Sequence, residues 1–171
     1  MDIGSRPRVK VIGVGNAWRG DDAAGLLVAR GLAAENLPHV NIVESLGTAG
    51  EVREALKDAD GVIVVDAVSS GGPPGAIYRF DARDGEVPVE LSRSPSSHGW
   101  GVAEALALGQ VLGELPAYLI IYGIEGRNFA PGQDLSPEVA AAIPEAVRRI
   151  KGEIQEWLTG TRPARGNQVL W

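Results

Sequence analysis

The run Val62-Ile63-Val64-Val65 constrains this chain more than any other feature. Consecutive branched aliphatic residues leave no polar face, so a strand built from them must be covered on both sides. Further β-branched or aromatic runs lie at Val9 to Val14, Val40 to Ser45, Ala76 to Phe80 and Tyr118 to Ile124, each closed by Gly, Pro or polar residues. Helical periodicity fills most of the gaps. Asp22 to Ala34 carries Leu26, Leu27 and Leu32, Ala49 to Lys57 carries Val52 and Leu56, and Val102 to Leu112 is apolar nearly all round and is expected to be buried. A last amphipathic stretch sets Val139, Ile143, Val147, Ile150, Ile154 and Leu158 on one face, with Pro144 expected to kink or split it.

Strands alternating with helices predict an α/β three-layer sandwich, with helices on both faces of a mainly parallel sheet of about five strands. Only Ser69 to Gly75 joins the third run to the fourth, too short a link for a helical crossover, so one strand is expected to run antiparallel. Residues 1–159 read as a single domain. Residues 160–171 show no usable period and are expected to form a frayed tail. From Asp81 to Ser97 there is no clear element, only a polar Pro- and Ser-containing stretch that leads into His98.

The formal net charge of −6 argues against nucleic acid or an anionic membrane surface as partner, because both attract basic patches. With no cysteine, a thiol nucleophile and Cys-based metal sites are excluded. The N-terminus lacks an apolar signal core, and no apolar run approaches the roughly 20 residues that span a bilayer. A cytoplasmic protein is expected.

Ligands of open α/β sheets bind outside the carboxyl ends of the strands, which directs attention to Asp22, Asp66 and His98. Asp22 follows the first strand through a Gly-rich turn, Asp66 lies near the end of the third run, and His98 stands just before a helix. Each also has a local explanation: Asp21 or Asp22 as a helix cap, Asp66 as a satisfied acid, His98 as a first-turn residue. Of the two acids, Asp21 is the better cap and Asp22 the better site residue.

The turn itself could suggest a nucleotide loop. Yet the spacing of Gly13, Gly15 and Gly20 departs from the dinucleotide fingerprint, and Asp21-Asp22 stands where a P-loop carries Lys and Ser or Thr. Each carboxylate close to a phosphate would cost about 4 kcal/mol at an effective dielectric near 20, so this turn favours a cation. Two carboxylates and an imidazole suit a borderline ion such as zinc or nickel and leave positions open for water or substrate. There is no His-Glu-x-x-His helix and no Gly-x-Ser-x-Gly elbow, so any hydrolysis must come from metal, carboxylates or both.

Four motifs in order, Gly13-Val14-Gly15-Asn16 with Gly20-Asp21-Asp22, then Val64-Val65-Asp66-Ala67-Val68, Ser97-His98-Gly99 and Gly123-Ile124-Glu125, resemble those of the hydrogenase maturation endopeptidases. Leu135-Ser136-Pro137-Glu138-Val139 is also similar to that family, and the resemblance runs from about Val9 to Ile154. It implies an endopeptidase that removes a C-terminal extension from the large-subunit precursor of a nickel–iron hydrogenase after nickel insertion. It also implies that Asp22, Asp66 and His98 bind metal and that Asp22 and Asp66 serve catalysis. The nickel would come with the substrate, zinc or cadmium could stand in for it, and the enzyme would act as a monomer. A non-catalytic nickel-checking chaperone on the same fold is the alternative, with a nucleotide-binding enzyme behind it. In the family the position of Asp22 is often Glu, and Pro is common where Gly126 follows Glu125. Glu125 is a candidate substrate contact, although an acid in a loop after a strand is usually just solvated, and Thr48 is expected to cap a helix.

Overall fold

A computed structural model describes residues 7–84, 86, 97–162 and 164–170, with residues 97–100 described by backbone alone. Its strands are β1 (Val9–Val14), β2 (Val40–Ser45), β3 (Gly61–Val68), β4 (Ile77–Asp81), β5 (Tyr118–Glu125) and β6 (Gln168–Leu170). Its helices are α1 (Ala24–Ala34), preceded by a 3-10 turn at Gly20–Ala23, α2 (Ala49–Ala55), α3 (Ser97–Leu112) and α4 (Pro137–Leu158).

The strands lie in the order β2-β1-β3-β5-β4-β6. β1, β2, β3 and β5 are parallel, while β4 runs antiparallel to both β5 and β6. One strand thus opposes the others, as the short Ser69 to Gly75 link requires. The sheet has six strands rather than about five, because Gln168–Leu170 pairs with β4 through Ile77↔Leu170 and Arg79↔Gln168. The segment expected to fray therefore supplies an edge strand.

Strand alternation divides the core into two halves. Ile63, Val65 and Ala67 of β3 join Val11, Ile120 and Ile124 against α1 and α4, with Val28, Leu32, Ile150 and Ile154 among the partners. Val62, Val64 and Val68 face the other way, with Ile12, Leu119 and Ile121, against Val52 of α2 and Val102, Ala105 and Leu106 of α3. Burying each such aliphatic side chain stabilises the fold by about 1.5–3 kcal/mol, which explains why β3 is apolar on both faces. Among the described residues no helix is long and apolar enough to cross a membrane.

One helix differs from expectation. α3 is not buried all round: Leu108, Val111 and Leu112 are 42%, 82% and 50% exposed, on the face that Glu104 and Ala107 share, while Val102, Ala105, Leu106 and Gly109 are buried on the opposite one. Pro144 lies inside α4 without ending it. Most of the stretch from Asp81 to Ser97 lies outside the described residues.

Candidate active site

From β1 the chain passes through α1 to β2, and from β2 through α2 to β3 on the other side of β1. The connections leave in opposite directions from β1 and β3, the switch point at which open α/β sheets form a crevice beyond their carboxyl ends. Asp22 lies in the 3-10 turn that follows β1, and Asp66 lies in β3, paired with Gly123 of β5. Both are fully buried. Asp66 is the one charged residue of β3, and alternation puts it on the same face as Val64 and Val68, the face covered by α2 and α3. Burying a carboxylate costs far more than burying the valines around it, so apolar packing does not account for the residue at this place.

The turn is shaped to bring Asp22 back to the strand end. The amide of Asn16 donates to Asp22 Oδ2 at 3.2 Å, and the Asn16 side-chain oxygen accepts from the Trp18 amide at 3.0 Å. A Cβ on Gly15 would stand 2.0 Å from the Asp22 carbonyl oxygen, so only glycine allows this approach. The glycines of this turn thus serve close packing, and the two acids that follow are buried rather than offered to a phosphate. Glu44, which stands in the sequence where a dinucleotide-binding unit would carry its ribose-binding acid, accepts from Arg30 Nε at 2.8 Å instead.

His98 lies in the first turn of α3 rather than before the helix, and its side chain is outside the described residues. The backbone still locates it. A Cβ on Gly101, one turn further along, would fall 1.8 Å from the carbonyl oxygen of Gly47, in the loop after β2. The N-terminus of α3 therefore rests on the carboxyl edge of the sheet, the edge that carries Asp22 and Asp66. Among the described residues no three His, Asp or Glu side chains converge as a metal site.

Asp21 has a different role from the one expected. Neither the 3-10 turn nor α1 has a side-chain cap. Asp21 instead accepts the amides of Arg127, Asn128 and Ser136 at 2.7, 2.9 and 2.7 Å, and the Ser136 hydroxyl at 2.7 Å. Burial alone would raise its pKa, but these hydrogen bonds outweigh that effect and hold the carboxyl below its ordinary value. Its own amide donates to Asn128 O at 2.9 Å. The turn after β1 and the loop before α4 are thus joined through one side chain.

Glu125 is likewise an internal tie rather than an exposed contact. It is 1% exposed, and its carboxylate accepts the amides of Ser70 and Gly71 at 2.8 and 3.1 Å and the Ser70 hydroxyl at 2.6 Å. Thr48 caps α2 by accepting the Glu51 amide at 3.2 Å, as its sequence position predicts.

This arrangement matches a known family. HycI, hydrogenase maturation protease, matches residues 27–153, a span that includes Asp66 and His98 and begins shortly after Asp22. The chain belongs to the hydrogenase maturation protease family. The protease is 31% identical over 153 residues to the hydrogenase 2 maturation protease of Escherichia coli, covering 87% of this chain and 92% of that one. Its fold superposes on the hydrogenase maturating endopeptidase HybD from E. coli with a TM-score of 0.76 at 26% identity, covering 95% of this chain and 96% of that chain. For the nickel–iron hydrogenase maturation protease HybD from Thermococcus kodakarensis the TM-score is 0.68 at 27% identity, with 85% and 97% covered. As a member of this family the protease is a peptidase with an α/β fold, and no nucleotide-binding role is needed to explain its Gly-rich turn.

Proposed function

We propose that the protease cuts a C-terminal extension from the large-subunit precursor of a nickel–iron hydrogenase once nickel is in place, and that Asp22, Asp66 and His98 are the residues that meet the precursor's nickel. The observation that carries this reading is the burial of Asp22 and Asp66 at the switch-point crevice of a chain from this family. Carboxylates at neighbouring strand ends create a field that favours a cation, and an imidazole at the start of α3 would complete a mixed oxygen and nitrogen set. Zinc or cadmium fits the same donors.

In this reading the nickel is part of the substrate. It would act as a Lewis acid toward the scissile carbonyl, with Asp22 or Asp66 accepting a proton from the attacking water. Asn16 and the Asp21 tie orient Asp22, and the burial of Asp66 in β3 fixes its position before substrate arrives. The reading is of a monomer that works in the cytoplasm on a protein substrate, without nucleic acid or membrane.

Incubation with nickel-loaded and nickel-free precursor, followed by mass spectrometry of the precursor's C-terminus, tests it. Cleavage of the loaded form alone is the expected result. A loaded precursor that stays bound and uncut would mean a nickel-checking chaperone instead.

A further inference from the structure

Next to Asp22, on the side of β2, a cleft of about 280 Å³ opens at the carboxyl edge of the sheet. Leu26, Gly15 and Ser45 are buried beneath it, Trp18 and Leu46 form its walls, and Glu44 stands at its rim. Trp18 is 81% exposed and Leu46 58% exposed. Large apolar side chains held open together at the mouth of a cleft mark a surface that another molecule covers.

The cleft is continuous with the candidate active site through one residue. Asn16 donates its amide to Asp22 and accepts the Trp18 amide on its side-chain oxygen, so Trp18 has a fixed relation to the carboxylate. The loop that carries it is braced from behind. The Trp18 carbonyl accepts the Gly132 amide at 2.8 Å, and the Arg19 Nε donates to Phe129 O at 3.3 Å. A loop backbone braced in this way costs little to order when a partner arrives.

The chemistry of the occupant follows from the walls. Among the described residues Glu44 is the one charged residue lining the cleft, and its carboxylate is bonded to Arg30, so the described walls present no spare charge. Its size suits one large aliphatic or aromatic side chain and is too small for a helix. We infer that the Trp18–Leu46 cleft binds an apolar side chain of the precursor close to its scissile bond and thereby sets the register of the peptide on the carboxylates. This rests on the peptidase reading above and adds a specificity-determining contact to it.

Steady-state cleavage of the nickel-loaded precursor by wild type, Trp18→Ala and Leu46→Ser is the test, repeated with precursors in which each apolar residue near the cut is replaced in turn by Ser. Since both cleft residues are exposed, neither substitution should unfold the protein. The expected result is a KM raised about tenfold in either variant with kcat nearly unchanged, the size typical of a lost apolar pocket contact. One precursor replacement should raise KM for wild type and have little further effect on Trp18→Ala, because both remove the same contact. Unchanged KM in both variants, or fully additive effects for every precursor replacement, would overturn the cleft assignment while leaving the peptidase reading intact. A wild type that does not cut the loaded precursor overturns both.

Discussion

Ser136 donates its amide to Asp21 Oδ1 and its hydroxyl to Asp21 Oδ2, each at 2.7 Å, across 115 residues of chain. Ser136 is the N-cap residue of α4, yet its hydroxyl makes no cap bond because Asp21 takes it. The tie locks the turn bearing Asp22 and Trp18 to the loop between β5 and α4, so the candidate site is held by residues that do not belong to it.

Removing that tie should therefore cost stability. Asp21→Ala leaves three amides and a hydroxyl without their acceptor, and bonds to a charged group are worth about 1.5–3 kcal/mol each before the remaining structure adjusts. A net loss of about 3 kcal/mol is expected in urea unfolding, equivalent to a Tm lower by roughly 10 °C. An unchanged midpoint would show that the tie is dispensable.

The same carboxylate predicts a pH dependence. Its folded pKa lies below the ordinary 3.8, so between the two values the unfolded chain binds more protons and stability rises with pH. The contribution is complete above the unfolded value and is lost as pH falls through the folded one. The difference in urea midpoint between wild type and Asp21→Asn should hold steady from about pH 7 to pH 5 and shrink below about pH 4.

A second buried network closes the far side of the molecule. Arg79 is ion-paired with Glu153, which also accepts the Tyr122 hydroxyl at 2.5 Å, and Arg79 donates to the carbonyls of Ala164 and Gly166 at 3.0 Å each. Burial, and then the charge of Glu153, push the Tyr122 phenol above its usual range. Glu153→Gln leaves the Arg79 guanidinium buried without its counter-charge, which should cost about 3 kcal/mol. Arg79→Ala should release the end of the chain, read as faster protease cleavage between Thr161 and Gln168.

The legible parts of the fold were those decided locally. β1 and β2 span the residues that their β-branched runs predict, and the direction of β4 follows from the length of one link. The places of Asp22 and Asp66 at the carboxyl edge of the sheet are legible because Asp22 follows an apolar strand run through a Gly-rich turn and Asp66 lies near the end of another. The role of Asp21 could not, since its partners are more than 100 residues away and a helix start offered a nearer explanation. β6 was hidden for the same reason. Gln168–Leu170 is largely exposed and without period, and it is a strand only because β4 offers an edge and Arg79 holds the carbonyls before it. The exposed face of α3 is not legible because that helix is apolar nearly all round, so its sequence does not tell the face on the sheet from the one in solvent.

Nickel-dependent processing by Asp22→Asn, Asp66→Asn and His98→Ala, each compared with wild type in one assay alongside its Tm, tests the proposed metal-reading site most directly. Each substitution should lower the rate of precursor cleavage at least about 100-fold while shifting Tm by no more than about 3 °C, since on this proposal the change removes a nickel contact and leaves the apolar core in place. Near-wild-type cleavage by any of the three, or unfolding in place of inactivity, would contradict it.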